Sequence, residues 1–236
     1  AILMNTHKKI SLAKPVIDIG YFTEDLAKTL DFWRLEVGLD YEPPVKFNDG
    51  LTQYRHQLGG SVIKINTSKF FLNKNPGTYA KLLIAREGQT TPETIFDPDG
   101  NEIMFVPPGY NSVTGVGISI KTSKIKQHQQ FYRDALGCET LSANTFRLGE
   151  SVIFLEKDPN ARQAGHWVDK GLRYFTIHVR QIDDTYAALI DAGVEQGEAP
   201  YSIGKIARIS FIKDPDGRWV EVAQRASLAG PWWPED

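Results

Sequence analysis

Phe32-Trp33-Arg34, with Gly38 four positions on, returns as Phe131-Tyr132-Arg133 with Gly137, 99 residues further along the chain. Asp97-Pro98-Asp99-Gly100 returns as Asp214-Pro215-Asp216-Gly217. Gly60-Ser61-Val62-Ile63 has its counterpart in Glu150-Ser151-Val152-Ile153, each copy preceded by glycine. Repetition on this scale means that one supersecondary unit has been copied, so the unit rather than the whole chain is what local patterns must explain.

Working outward from the first aromatic segment, residues 16–22 read as a strand, and Leu26, Leu30, Trp33 and Val37 keep the i, i+4, i+7, i+11 stripe of an amphipathic helix. Three short apolar runs follow at 39–41, 51–58 and 61–66, separated by Pro43-Pro44, Asn48-Asp49-Gly50 and Gly59-Gly60, which break strands. The unit is therefore βαβββ. It recurs over 116–155 and again over 172–224, where Tyr186, Leu189 and Ile190 mark the helix and Ala192-Gly193 ends it. Residues 78–107 offer strands at 80–85, 94–96 and 102–106 but no helical stripe, and form a degraded copy. The Asp-Pro-Asp-Gly segments are tight turns, with proline presetting φ and glycine accepting positive φ. Asp97 and Asp214 are expected to spend their carboxylates on nearby backbone N–H groups.

The expected class is α+β: tandem βαβββ modules forming two domains, at 13–110 and 113–225, the second module lacking its helix. The 236 residues, 41% hydrophobic with 26 aromatics, supply ample core. A net charge of −2 leaves no positive field for phosphate backbones, so nucleic acid is not the expected partner. No apolar run reaches the roughly 20 residues that span a bilayer, and the reading is a cytoplasmic protein with no membrane partner. The single Cys138 agrees with a reducing compartment and, at a helix end after Gly137, reads as a structural thiol.

Module order, the Phe-Trp/Tyr-Arg…Gly helices and the closing hairpins together resemble the vicinal oxygen chelate superfamily of glyoxalases, extradiol dioxygenases, epimerases and bleomycin-resistance-like proteins. The resemblance covers about residues 13 to 225. It implies that paired modules curl into a cleft holding a divalent metal, with ligands from first and last strands and a carboxylate four positions after the hairpin glycine. That position is Glu221 in the second half and Met104 in the first. The corresponding first-strand positions are Asp18, Gly117 and Tyr174, and the fourth-strand positions are Lys64 and Phe154. This is not the usual His/Glu set: Glu221, the metal ligand if a metal binds, has only Tyr174 beside it, whereas transition metals take about three protein ligands.

Strand alternation puts Tyr174, Thr176 and His178 on one face and Arg173, Phe175 and Ile177 on the other. Glu221, between Val220 and Val222, has to point into the cleft or find a partner, and burial without a cation would make it an acid, a base or an anchor. Glu221, Tyr174 and His178 are thus the catalytic candidates. His166, Trp167 and Phe154 are the candidates for binding substrate, the first two because the loop over 157–171 crosses the expected cleft mouth. His7, His56 and His128 read as structural.

No Walker loop, dinucleotide fingerprint, nucleophile elbow or zinc-finger spacing is present. Three functions remain: a metal-dependent glyoxalase- or dioxygenase-like enzyme acting on a small oxygenated molecule, a metal-free protein sequestering an aromatic or apolar ligand, and a metal-free enzyme in which Glu221, with Tyr174 or His178, moves a proton. The expectation leans to an enzyme with a small-molecule substrate, and a homodimer is compatible with it.

Overall fold

The computed structural model describes residues 10–47, 49–75 and 78–233. His7 lies outside them. The first module runs β1 (Asp18–Phe22), α1 (Leu26–Asp31), β2 (Val45–Lys46), β3 (Leu51–Leu58) and β4 (Ser61–Ser68). The second has β5 (Lys81–Ala85), β6 (Glu93–Phe96) and β7 (Glu102–Val106), with no helix between β5 and β6. The third comprises β8 (Val116–Thr122), α2 (Ile125–Gln129), β9 (Glu139–Ser142), β10 (Thr145–Leu148) and β11 (Ser151–Lys157). The fourth comprises β12 (Gly171–His178), α3 (Ile182–Asp191), β13 (Glu195–Ile203), β14 (Ala207–Lys213) and β15 (Trp219–Arg225), after which comes the short α4 (Ala226–Ala229).

Both repeated aromatic segments widen their helices into a π-helical turn, at Phe32–Val37 and Gln130–Ala135. Gly38 closes the first in the left-handed region at φ 88°, where a Cβ is penalised, and Leu39 N–H then bonds to Trp33 O at 2.9 Å. His56 Nδ1–H donates to the Leu39 carbonyl at 3.1 Å. Both backbone groups of Leu39 are thereby occupied, so the strand expected at 39–41 shrinks to one bridge between Tyr41 and His56, and β2 forms beyond Pro43-Pro44.

The strands make two mixed sheets. One runs β13-β14-β15-β12-β1-β4-β3-β2 and the other β6-β7-β5-β8-β11-β10-β9. Module one thus shares a sheet with module four, and module two with module three. The division at 13–110 and 113–225 separates the repeats but not the sheets, because each sheet draws on both halves. Inward faces of both sheets, with Trp33, Phe131 and Tyr132 of the helical segments and the buried Cys138, form one continuous core. Among the described residues no helix is long and apolar enough to cross a membrane.

The halves are tied differently. Asp97 Oδ1 accepts from Asp99 N and Asn101 N, and Asp214 Oδ1 from Asp216 N and Arg218 N, so both aspartates serve their turns. The second aspartate of each turn reaches the helix entrance of the preceding module: Thr23 Oγ1 donates to Asp99 Oδ2 at 2.7 Å and Thr122 Oγ1 to Asp216 Oδ2 at 2.6 Å. Sheets join one with four and two with three, while these turns join one with two and three with four.

At the joint between the outer modules, β1 and β12 are antiparallel with Gly20 opposite Tyr174. A Cβ at Gly20 would overlap the Tyr174 ring at its Cε1 edge. Gly20→Ala is therefore expected to push the ring aside at a cost of about 1–3 kcal/mol, the usual range for overpacking. Urea unfolding checks this, and an unchanged midpoint would show that the ring has room to move.

Candidate functional site

The cleft face of the eight-stranded sheet is polar at its floor and apolar at its wall. It lines a cavity of about 640 Å³ that draws on β3, β4, β12, β14 and β15. The floor is built from side chains that alternate with core residues: Ile19 and Phe175 face the core, so Asp18, Thr176 and His178 face the cleft.

Asp18 is fully buried. Its Oδ2 lies 2.6 Å from His178 Nε2, and its Oδ1 accepts from Lys14 Nζ at 2.6 Å and from Val62 N at 2.8 Å. Burial alone would raise its pKa, but the bond from His178 and the charges of Lys64 and Lys14 together hold it well below the usual carboxylate range. Asp18 is thus an anion that accepts the hydrogen bond of His178 Nε2–H, which leaves Nδ1 as the basic nitrogen. That Nδ1 is buried and has no partner among the described residues. Desolvation pushes the His178 pKa below its ordinary value and outweighs Asp18, so the ring is neutral at pH 7.

Beside this pair, Lys64 Nζ donates to Thr176 Oγ1 at 2.8 Å and to Glu221 Oε1 at 3.1 Å, and lies 3.8 Å from Asp18 Oδ2. Thr176 Oγ1 in turn donates its hydroxyl hydrogen bond to Glu221 Oε1 at 2.7 Å. Glu221 does point into the cleft, as expected from its place on β15, but the cleft belongs to modules one and four jointly and the carboxylate has a cation beside it. The condition for an uncompensated buried acid is not met.

Tyr174, 2% exposed, accepts from Asn66 Nδ2 at 3.0 Å, and Gln53 Nε2 in turn donates to Asn66 Oδ1 at 3.0 Å. Burial, and next the charge of Glu221, raises the Tyr174 pKa, so the phenol keeps its proton and has it free to donate. Trp167 supplies the wall: its ring stacks on Phe211 at 4.6 Å and meets Tyr174 edge-on at 5.7 Å. Arg173, on the opposite face of β12, fixes the loop carrying Trp167 by donating to the carbonyls of His166 and Asn75.

Five of the sequence-derived residues converge on this region and one does not. Glu221, Tyr174, His178 and Trp167 line the cavity. His166 sits just behind Trp167, where its ring meets Trp219 at 5.3 Å and its Nδ1 accepts from Val168 N, and it is not part of the lining. Phe154 is on the other sheet, in a small apolar cluster with Leu83, Val106, Val113 and Val152 and the adjoining Met104. The apolar cluster around Phe154 lies apart from the cavity that Glu221 lines, which corrects the assignment of Phe154 to the same site as Glu221. Sequence reasoning counted Asp18 and Lys64 as ligand positions without giving them a role. Their signal was a charge in the middle of an otherwise apolar strand, in Val16-Ile17-Asp18-Ile19 and Val62-Ile63-Lys64-Ile65.

The donor set does not fit a divalent metal. Between the carboxylates of Asp18 and Glu221 stands an ammonium group, which repels a second cation, and the carboxylate oxygens nearest it already accept hydrogen bonds. Among the described residues no group of three His, Cys, Asp or Glu side chains is arranged to hold a metal ion.

Residues 118–222 match the model of the Glyoxalase/Bleomycin resistance protein/Dioxygenase superfamily. Glyoxalase I from Zea mays is similar in structure with a TM-score of 0.68 at 14% identity, over 89% of this chain and 92% of that one. A putative dioxygenase from Bacillus subtilis subsp. subtilis str. 168 is similar with a TM-score of 0.68 at 13% identity, over 92% and 86%. No curated protein sequence matches.

Proposed function

We propose that the chain is a member of the vicinal oxygen chelate superfamily, which its fold and the match over residues 118–222 support, and that it is a proton-transfer enzyme acting on a small, largely apolar molecule with neighbouring oxygens. The observation that carries this is the Asp18–His178 pair, 2.6 Å apart, beside the Lys64 ammonium at the floor of an aromatic-walled cavity.

The roles follow from charge and proton inventory. Once a small turn of its ring bares Nδ1 to the cavity that His178 lines, Nδ1 takes a proton from a carbon next to a carbonyl, and Asp18 stabilises the imidazolium that results. Negative charge passes to the carbonyl oxygen, where Lys64 and the Tyr174 hydroxyl, already oriented, stabilise it more strongly than water would. Nδ1 then delivers the proton to the former carbonyl carbon of the enediolate while the hydroxyl proton passes to the former carbonyl oxygen, which completes a 1,2-proton transfer and restores neutral His178. The fixed cation that the fold usually obtains from a metal is here supplied by Lys64.

A suitable probe is 2-hydroxyacetophenone, whose aromatic ring suits the wall and whose α-carbon bears an acidic hydrogen between two oxygens. In deuterium oxide the protein is expected to catalyse exchange of that hydrogen, followed by proton NMR, and His178→Gln to lower the rate about 10²–10⁴-fold. If no carbon acid of this type exchanges although the probe binds in the cavity, the sequestering role replaces the enzymatic one.

A further inference from the structure

The cavity carries more positive charge than its floor uses. Lys64 and Glu221 neutralise one another, which leaves Lys46, Arg55 and Arg225 against Asp49 among the charged residues of the lining. Arg55 Nη1 donates to Gln53 Oε1 at 2.7 Å. Beyond that, neither Arg55 nor Arg225 has a carboxylate oxygen within ion-pair distance among the described residues, and of the arginines without one these two line the cavity. Both are half-buried.

The two sit on strands four steps apart in the sheet, β3 and β15, which would be about 19 Å if the sheet were flat. Curling of the sheet brings them to one cavity. There, burial lowers the Arg225 pKa and the nearby Arg55 charge lowers it further, against the attraction of Asp18, Glu42 and Glu221. Two guanidinium groups that line one cavity, half-buried and without a carboxylate in ion-pair contact among the described residues, offer an anion paired, geometrically matched hydrogen bonds.

We infer that Arg55 and Arg225 form an anion-binding subsite of the cavity, which takes the carboxylate or sulfonate group of a ligand whose apolar body lies against Phe47, Leu51, Trp167 and Ile209. The inference rests on the cavity being the ligand site and narrows the substrate class to amphipathic acids. The polar floor and the arginine pair then act on different parts of one molecule.

Two fluorescent probes separate the terms. 1-Anilinonaphthalene-8-sulfonate carries the anion, and N-phenyl-1-naphthylamine has the same aromatic body without it. In fluorescence titrations the double variant Arg55→Met, Arg225→Met, which keeps the apolar stems, is expected to lose at least tenfold in affinity for the sulfonate. Its affinity for the neutral probe should change less than twofold. Arg55→Lys with Arg225→Lys, which keeps the charge, should recover part of the loss. 1-Naphthoate should displace the sulfonate from wild type at lower concentration than 1-naphthamide does, and that advantage should vanish in the double variant. Equal loss of both probes, or no loss of the sulfonate, would overturn the subsite. Ile209→Trp, which fills the cavity, should abolish binding of the neutral probe; if that probe still binds, the cavity reading itself fails together with the subsite.

Discussion

Lys64→Met should lower stability by about 3–5 kcal/mol, the range seen when one member of a buried ion pair is removed and the other is left uncompensated. The side chains of Lys64 and Glu221 are only 6% and 11% exposed, so solvent cannot take over the role of the ammonium. Methionine keeps most of the stem packing, and the loss therefore reads the charge. At roughly 2–4 °C per kcal/mol for a chain of this size, thermal unfolding should move down by about 6–20 °C. Lys64→Ala should lose as much at neutral pH, and it opens a space facing Asp18, Glu221 and His178. Manganese or zinc is expected to raise the unfolding temperature of that variant and not of wild type, by the usual linkage of binding to folding. Metal-dependent stabilisation of the wild-type protein would sink the account in which lysine supplies the cation.

Asp18→Asn should reduce exchange of the 2-hydroxyacetophenone hydrogen by about 10²–10⁴-fold, because an amide can neither fix the Nε2–H tautomer nor stabilise the imidazolium. The pH profile separates this from a general loss of structure. Wild-type exchange requires neutral His178, so the rate should fall with acid around a midpoint below the ordinary imidazole value of about 6.5, since burial depresses the pKa in the folded protein. Removing the carboxylate, which raises that pKa, should move the midpoint lower still. A loss of rate with an unmoved midpoint would make Asp18 structural.

Stability should weaken in acid through the same pair. The folded pKa of His178 is below its unfolded value, so its contribution is complete above about pH 6.5 and declines as pH falls through that value. The folded pKa of Asp18 is also depressed, so its contribution is present above about pH 3.9 and is lost as pH drops towards the folded value.

The repeats made the fold readable because each copy carried its own punctuation. Gly38 and Gly137 end the helices, the Asp-Pro-Asp-Gly turns close the last hairpins, and residues 78–107 lacked a helical stripe and formed no helix. Pairing between copies was not readable, since nothing in a βαβββ unit says which other unit its first strand will meet. That gap misdirected the site. Glu221 was placed beside Tyr174 in a cleft of the second half, whereas its ion-pair partner, Lys64, lies 157 positions earlier in the sequence. Trp167 was legible as an aromatic on the loop expected to cross the cleft mouth. Arg55 and Arg225 were not, because a surface-strand arginine looks the same in sequence whether its charge is matched or spare.

The crossed pairing of modules also dictates when the cleft can come into being. During synthesis β1 meets β4 early, but its other edge stays bare until β12 arrives, roughly 150 residues later. At ordinary ribosomal speeds that is about 8 to 30 s. Throughout this interval an apolar strand presents unpaired N–H and C=O groups, a template for pairing with another nascent chain. An Asp18 side chain buried at the end of the process sits on that same strand, where before closure its charge discourages wrong partners.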